Sequence, residues 1–366
     1  MKILLFGGMI LKSVVQINKE RTVSNIYHLF TGKRSIQTVQ DAHMYGIDDF
    51  FGVYKTLSKQ QFEQEIHKLI QNDLLRERSD SENRRFLIST NNTEIWLQQH
   101  QNQLPFHYFK GMSLHEKGDI FYQRLLLLIQ TFTNTKRKNF SFIPVVDNSN
   151  AERWVKQFYR RMKGKESVYL KQLEQELYYL LNDLPKEEAS IFVERLSGFK
   201  HYGMSIGQLA NFYQRENADI HLLLIGIIHN LLNKLKQNES KYPALNSLIK
   251  DYRDSVKLLG STVQTYHLFK KDLTPEEIAS IRHLKINTIY DHLTEISLYD
   301  PYFPFTRFIS IEKQREVLEA INQTNSYKLK EIKNIVQSDI NYFQIRLMLV
   351  LHHKLKEEGA LNTNAK

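Results

Sequence analysis

The chain has 366 residues, which is long enough for two or three domains with separate hydrophobic cores. It contains no cysteine, so disulfide bonds and thiolate metal sites are excluded and nothing indicates secretion. Its 50 Lys and Arg residues against 40 Asp and Glu give a net charge of +10, which favours an acidic polymer as a partner. The low content of glycine (14) and proline (7) predicts a mainly α-helical protein.

The N-terminal residues contain an apolar run that follows a lysine, as signal peptides do. Gly7, Gly8 and Lys12 interrupt this run, and no cleavage site of small residues follows it. Elsewhere no stretch reaches the roughly 18 consecutive apolar residues that a membrane-spanning helix needs. We therefore predict a cytoplasmic protein that does not bind a membrane. Met9 is an alternative start, because the helical period continues through it.

Residues 1–103 are predicted to form a winged-helix-like domain. Ser58 and Gln61 form a capping box at the start of one helix, and apolar side chains at helical spacing predict two more before it. The period then changes from helix to strand, which predicts a β-hairpin over residues 74–88. Three helices followed by a hairpin is the order of a winged helix. The predicted helices cover residues 26–30, 35–45 and 58–73.

Two arginines lie on the predicted hairpin. Arg84 and Arg85 begin its second strand, on the part of a winged helix called the wing, where a phosphate group can bind. They are therefore candidate contacts for nucleic acid. A winged fold that holds a protein partner is an equal alternative, because an arginine pair is also typical of a solvated edge.

Residues 104–251 are predicted to form a central all-helical domain. Half of the excess positive charge lies in residues 134–236, which hold 16 basic and 11 acidic residues. Cations that alternate with rings can bind phosphates while the rings stack on bases. The alternative is an amphipathic helix whose aromatic side chains face inward. The candidate contacts are Arg160, Arg161, Lys163 and Lys165, which follow Trp154, Phe158 and Tyr159.

Residues 252–366 are predicted to form a C-terminal helix-turn-helix domain. Thr274 as the N-cap, Pro275 at the first helical position and Glu277 closing a capping box mark the start of its first helix. After a short turn, Asn287 is predicted to cap the second helix. Apolar side chains at helical spacing then face the first helix. They are Ile289, Leu293 and Ile296, which lie opposite Ile278 and Ala279.

The second helix carries polar side chains off its core face that are suited to a DNA groove or a phosphate backbone. The alternative is a pair of packed helices without DNA contact, because helix pairs of this shape occur in proteins with many functions. The candidate residues are Lys285, Asn287, Thr288, Tyr290, Asp291 and Thr294, together with Lys270 and Lys271 ahead of the first helix.

Five aromatic rings lie in residues 299–308, a short linker after the second helix. We expect the linker to cover the seam between the helix-turn-helix and three further helices, because so many rings would be costly to leave in water. Residues 252–356 are also expected to fold alone, since about 100 residues suffice for an independent domain. The three further helices are predicted at residues 311–322, 329–336 and 342–356.

No catalytic motif occurs in the sequence. Gly32 and Lys33 do not belong to a phosphate-binding loop, because Tyr27 occupies the upstream glycine position and Arg34 the position of the hydroxyl residue. Two histidines, 352 and 353, are adjacent on a predicted helix and point to different faces, so they make a poor metal-binding pair. We therefore predict that the protein is not an enzyme and holds no cofactor and no metal.

Several of these residues together resemble a known family. The pattern has four parts: Thr265 with Leu268; Leu273 and Thr274 with Glu276 to Ala279; Arg282, Leu284, Lys285, Thr288, Ile289, His292 and Leu293; and the runs Tyr327 to Ile332 and Ile340 to Arg346. It resembles the helix-turn-helix domain at the C-terminus of bacterial RecQ-family helicases. The whole chain is similar to stand-alone Firmicute proteins with this domain. The glycine common after the second helix is absent here, where Ser297 to Asp300 stand.

This resemblance implies a protein without helicase motifs that works with a RecQ-type helicase. Three functions remain open: a non-catalytic DNA-binding accessory of such a helicase in DNA repair or recombination, a dimeric transcriptional regulator that reads half-sites about 34 Å apart, and an adaptor that binds only proteins. Any DNA binding is expected to be mainly electrostatic and not sequence-specific. The sequence leaves the oligomeric state and the form of the DNA open.

Overall fold

A computed structural model describes residues 5–100, 102–252, 258, 260–337, 339–357 and 359 of the chain. Over these residues the fold is mainly α-helical, with one small two-stranded sheet, so the predicted fold class is confirmed. No helix in the described ranges is long and apolar enough to cross a membrane.

The described part of the chain forms eighteen α-helices and two β-strands. The N-terminal elements are α1 (Leu5–Ile17), α2 (Val23–Thr31), α3 (Ile36–Met44), α4 (Lys59–Gln71), β1 (Leu75–Ser79), β2 (Arg85–Ser89) and α5 (Asn91–His100). The middle elements are α6 (Gly111–Lys136), α7 (Ser149–Arg161), α8 (Glu166–Leu181), α9 (Lys186–Glu194), α10 (Ile206–Phe212), α11 (Asn217–Gln237) and α12 (Pro243–Ser247).

The C-terminal elements are α13 (Gly260–Phe269), α14 (Pro275–Arg282), α15 (Ile286–Tyr299), α16 (Ile311–Thr324), α17 (Leu329–Lys333) and α18 (Tyr342–Glu357). Short 3-10 helices lie at Asp48–Phe50, Phe106–Tyr108, Glu239–Lys241 and Phe305–Arg307. The order of three helices and a hairpin predicted for the N-terminal part is present as α2, α3, α4, β1 and β2.

The capping box predicted at the start of α4 is present. The Ser58 Oγ atom accepts a hydrogen bond from the backbone N–H of Gln61 at 3.1 Å, and the Gln61 Oε1 atom accepts one from the backbone N–H of Ser58 at 3.0 Å. These bonds satisfy N–H groups that have no partner within the helix. The start of this helix is therefore determined by its local sequence.

The chain divides into two compact units. The first unit takes residues from 1–12, 49–75 and 89–253, and the second takes residues from 13–48, 76–88 and 254–366. The predicted winged-helix-like domain, residues 1–103, therefore contributes α4 and α5 to the first unit and α2 and α3 to the second. The domain boundaries predicted at 103/104 and 251/252 stay a prediction.

An aromatic cluster joins α6, α7 and α8 in the first unit. The centre of the Phe132 ring lies 5.6 Å from that of Tyr159 and 5.7 Å from that of Tyr169. The Trp154 and Phe158 rings are buried and stack with their centres 4.9 Å apart. The rings of α7 thus face inward, which is one of the two alternatives that the sequence left open.

The first unit also buries an ionisable group. Asp219 is 2% exposed, and its Oδ1 atom accepts a hydrogen bond from the backbone N–H of Phe6 at 3.0 Å. Burial raises the pKa of the Asp219 carboxyl to about 6, because the charged form loses its hydration. This carboxyl links the first turn of α1 to the first turn of α11.

Helix α15 lies at the centre of the second unit, where it packs against α3, α13, α14 and α18. Its apolar side chains Ile289, Leu293 and Ile296 share a core with Ile278 of α14, as predicted. Of the residues of α15, all of which are described, Asn287 alone is largely exposed. Only the first turn of this helix therefore offers much surface to a partner.

The aromatic linker covers the seam within the second unit. The Phe303 ring is buried and stacks on Phe269 of α13, with ring centres 5.5 Å apart. The Phe308 ring meets Phe343 of α18 edge-on at 5.5 Å. The predicted covering role is confirmed for these two linker rings, whereas Tyr302 is exposed.

N-terminal residues complete the second unit. Arg21 forms an ion pair with Asp41 of α3 at 2.8 Å and donates a hydrogen bond to the backbone oxygen of Tyr327 at 3.3 Å. Helix α3 also packs against α15 and α18. The prediction that residues 252–356 fold alone left these contacts out. We now expect this segment to require residues 13–48.

Candidate nucleic-acid interface

The first helix of the helix-turn-helix, α14, begins as the sequence predicts. The Thr274 Oγ1 atom accepts a hydrogen bond from the backbone N–H of Glu277 at 3.2 Å, and the Glu277 Oε2 atom accepts one from the backbone N–H of Thr274 at 2.7 Å. The bond from the Thr274 backbone N–H favours the ionised Glu277 carboxylate and lowers its pKa. The helix ends at Arg282, and His283 follows in the left-handed backbone region with φ of 53°.

The second helix, α15, begins earlier than predicted. Lys285 occupies the N-cap position with an extended backbone, and no side chain there bonds to the helix N–H groups. Asn287 lies inside the first turn, so its assignment as the N-cap was wrong. The left-handed backbone of His283 reverses the chain within a short turn after α14, so α15 begins at Ile286.

The candidate side chains on α15 differ widely in exposure. Lys285 and Asn287 are exposed, whereas Thr288 is half-buried. Tyr290 is also half-buried, because its ring stacks on Phe343 of α18 with ring centres 4.2 Å apart. Thr294 was predicted to lie off the core face, but it is fully buried and donates a hydrogen bond to the backbone oxygen of Tyr290 at 2.8 Å. Packing of α15 on several sides thus removes Thr294 from the candidate surface.

Arg282 has a structural role that the sequence did not reveal. Its guanidinium donates hydrogen bonds to the backbone oxygen of Ser261 at 2.8 Å and to Gln264 Oε1 at 3.1 Å, both on α13. Partial burial lowers the pKa of this side chain. At the same interface the Thr262 hydroxyl donates to the buried carboxylate of Glu295 at 2.6 Å. These bonds fix α13 against the helix pair.

The remaining surface of the helix-turn-helix carries charges of both signs. Lys270 lies 3.2 Å from Asp300 and is thereby paired, whereas Lys271 is exposed. Asp272, Glu276 and Glu277 are exposed close to these lysines in the chain. Asp291 of α15 pairs with Arg346 at 2.5 Å. The cations with the best access to a partner are therefore Lys271 and Lys285.

The two arginines of the hairpin pair with acidic side chains. Arg84 lies 2.7 Å from Asp80 and 3.1 Å from Glu82, and Arg85 lies 2.5 Å from Glu77 across the hairpin. The hydrogen bond from Arg84 lowers the pKa of the Asp80 carboxyl. Neutralised in this way, both arginines offer less attraction to phosphate than the sequence alone indicated.

The four central candidates, Arg160, Arg161, Lys163 and Lys165, are all exposed. They lie at the end of α7 and in the turn that follows it. Among the residues that the structure describes, none of the four forms an ion pair with a carboxylate. The described His, Asp and Glu side chains also form no group of three that could hold a metal ion.

Known proteins resemble this chain at two levels. Residues 261–349, which extend from the start of α13 into α18, match the family model of a helix-turn-helix domain. The C-terminal part of the chain is thus a helix-turn-helix domain. Over most of its length the chain is similar to the protein YpbB of Bacillus subtilis (strain 168). The two are 28% identical over 345 residues, which are 94% of this chain and 96% of the relative. No solved structure matches the chain.

Proposed function

We propose that the protein is a non-catalytic DNA-binding accessory that works with a RecQ-type DNA helicase in DNA repair or recombination. The observation that carries the DNA-binding part is the helix-turn-helix domain, with its capped first helix and its second helix exposed only at the start. In helix-turn-helix proteins the N-terminal residues of the second helix contact the base edges. Here these residues are Lys285 and Asn287, and both are exposed.

The DNA binding we propose is mainly electrostatic. Burial of Thr294 and the stacking of Tyr290 on Phe343 leave few side chains on α15 that can reach bases. Contacts with phosphates position a protein on DNA without reading its sequence. We therefore expect similar affinity for unrelated sequences and a strong dependence on salt.

The helicase part of the proposal rests on the sequence pattern shared with the C-terminal domain of RecQ-family helicases. A chain that carries this domain without helicase motifs is suited to act beside such an enzyme.

A purely protein-binding adaptor is the second candidate. It is favoured by the pairing of Arg84 and Arg85 with acidic side chains, which reduces the charge available to DNA.

Fluorescence anisotropy with labelled DNA of two unrelated sequences tests the DNA-binding part. Five or six phosphate contacts give a slope of log affinity against log salt of about −5 on duplex DNA. We expect a slope of this size and less than threefold difference between the sequences. A full-length protein that binds no DNA at 50 mM salt would overturn the proposal in favour of the adaptor.

An unwinding assay tests the helicase part separately. A RecQ-type helicase from the same organism is mixed with the full-length protein, and strand separation and co-elution on a sizing column are measured. We expect a stable complex or a changed unwinding rate. If neither occurs while DNA binding persists, the helicase part is wrong and the DNA-binding part stands.

A further inference from the structure

One end of the first unit concentrates positive charge. Residues 134–165 hold nine basic and two acidic residues, a net charge of +7 in a chain whose total is +10. Seven of these cations lie at the ends of α6 and α7, and all seven are exposed. We refer to them together as the basic end: Lys136, Arg137, Lys138, Arg160, Arg161, Lys163 and Lys165.

The ends of α6 and α7 lie side by side because the two helices run in the same direction. At the start of α7, Asn148 Nδ2 donates to Gln123 Oε1 in the middle of α6 at 2.8 Å. Near their ends, the Phe132 ring lies 5.6 Å from the Tyr159 ring. Lys136 lies four residues after Phe132, about 6 Å further along α6. The cations at the end of α6 and those at the end of α7 therefore both lie just beyond the contact between these two rings.

The two acidic residues of this segment lie away from the basic end, and Glu166, which directly follows Lys165, forms no ion pair with a cation of the basic end among the described residues. Asp147 precedes α7, and Glu152 lies in its first turn, where it faces Lys156 at 3.6 Å. Arg160 is eight residues further along the same helix, a rise of about 12 Å. Over the described residues, no cation of the basic end forms an ion pair with a carboxylate. Their charge is therefore available to an anionic partner.

An aromatic ring lies beside these cations. Phe140 is 72% exposed and follows Asn139, whose Nδ2 atom donates to Asn134 Oδ1 of α6 at 2.7 Å. A ring exposed next to cations is typical of surfaces that bind single-stranded nucleic acid, where bases stack on the ring and phosphates meet the cations. Bases in a duplex are already stacked, so a ring of this kind favours single strands.

A second segment adds to the same end of α6. The backbone N–H of Phe199 donates to Thr133 Oγ1 at 3.2 Å, which places the turn of residues 198–201 beside the last turn of α6. Lys200 in this turn is exposed. Cations near a helix C-terminus also stabilise the helix dipole. That role accounts for Arg160 and Arg161, but not for Lys200, which lies on no helix.

We propose that the basic end binds single-stranded DNA, with backbone phosphates on its cations and a base stacked on Phe140. The inference deepens the proposed function and rests on it for DNA as the partner. It names the strand form and assigns the larger share of affinity to the first unit. The helix-turn-helix then contributes a second, weaker contact.

Four substitutions in the full-length protein test the phosphate contacts: R160Q, R161Q, K163Q and K165Q. A control with the same change in net charge replaces four other exposed lysines of the first unit: K59Q, K186Q, K236Q and K250Q. With labelled oligo-dT, the basic-end variant should lose at least about tenfold in affinity at 100 mM salt, and its salt slope should decrease by up to about 3. The control should stay within about threefold of the wild type.

A matched pair of variants tests the stacking contact. Phe140→Ala should weaken oligo-dT binding by roughly fivefold or more without changing the salt slope. Ile143→Ala removes a side chain that is 89% exposed in the same connection but carries no ring, so affinity should not change. Equal losses in the two variants would overturn the stacking contact. So would a wild-type protein that prefers duplex DNA to oligo-dT by tenfold.

The remaining outcomes separate this inference from the proposed function. A basic-end variant that binds oligo-dT as well as its control does would overturn the inference. If Lys285→Ala then abolishes binding, the proposed DNA binding stands and its site is the helix-turn-helix. A wild-type protein that binds neither single-stranded nor duplex DNA would overturn both. Circular dichroism of every variant should match the wild type, so that loss of binding is not loss of fold.

Discussion

The basic end of the first unit and the helix-turn-helix of the second differ in how they use charge. At the basic end, Arg160, Arg161 and their neighbours are exposed and lack carboxylate partners within the described chain. In the second unit, Lys270, Arg346 and Arg21 each pair with an acidic side chain. These three cations of the second unit therefore stabilise its fold, whereas the cations of the basic end are available to a partner.

The recognisable motif and the exposed positive charge therefore lie in different regions of the molecule. The helix-turn-helix domain is the part that a family model matches, yet its surface carries charges of both signs. Non-specific DNA affinity depends on the number of phosphates that cations neutralise. The more recognisable region is thus expected to contribute less of the affinity. Substitutions in the two regions test this contrast.

The largest expected effect comes from a paired cation of the second unit. Arg21→Ala leaves the Asp41 carboxylate, whose side chain is 9% exposed, without its ion-pair partner. Loss of one partner of a buried ion pair costs about 3–5 kcal/mol. We expect a decrease of this size in the free energy of unfolding, measured with urea. Arg160→Ala at the basic end should change it by less than about 0.5 kcal/mol. Equal effects would remove the contrast between the regions.

The next largest effect is a pH dependence of the free energy of unfolding, which comes from a buried carboxyl of the first unit. The folded-state pKa of Asp219 is about 6 and the ordinary value is 3.8. Between these values the folded protein binds more protons than the unfolded chain, so stability decreases as pH rises from 4 to 6. Asp219→Asn should therefore stabilise the protein by up to about 3 kcal/mol at pH 7 and hardly at all at pH 4. Urea unfolding at the two pH values measures this, and an equal gain at both would contradict it.

A smaller effect is expected at the start of α14. Thr274→Ala removes the capping hydroxyl, which typically costs about 1 kcal/mol. The midpoint of thermal unfolding should fall accordingly, while binding of oligo-dT should stay unchanged if affinity resides at the basic end. Ser280→Ala, an exposed hydroxyl later in the same helix, serves as the control and should have no such cost. A loss of oligo-dT affinity in the Thr274 variant would favour the helix-turn-helix as the main site.

The smallest effect on stability is expected from Lys285→Ala combined with Asn287→Ala. Neither side chain caps α15, so the unfolding free energy should not change. Removal of one phosphate-binding cation should lower the salt slope on duplex DNA by about 0.9. Lys330→Ala, another exposed lysine of the second unit, is the matched control for anisotropy. If this double variant loses more affinity than the basic-end variant, the relative importance of the two regions is reversed.

Local features of the fold were predictable from the sequence, and long-range ones were not. The capping boxes at Ser58 and Thr274 involve residues three positions apart, and both are present. Thr294 was misplaced because α15 is covered on several sides, by helices that include α3, some 250 positions earlier in the chain. The left-handed conformation of His283, a residue other than glycine, likewise gave no signal and shifted the start of α15. Periodicity identifies the first buried face of a helix, but not a second one.

The site residues follow the same rule. Lys285 and the central cations were predicted as candidate contacts, and they are exposed because they lie at or next to helix ends. The pairing of Arg85 with Glu77 depends on the register of two strands, and the anchoring of Arg282 on α13 depends on a tertiary contact. Charge counts alone therefore overestimated the positive charge that the wing offers to DNA. They also gave no sign of the structural role of Arg282.

The length of the connection between α6 and α7 determines where the cations lie. Residues 137–148 run back along α6, and Gln130 Nε2 donates to the backbone oxygen of Ile143 at 3.0 Å on the way. Helices joined by short loops are usually antiparallel neighbours. A deletion here would reverse α7 and carry Arg160 and Arg161 about 20 Å away from Lys136. Such a chain would keep its net charge and its motifs but lose the local concentration of positive potential.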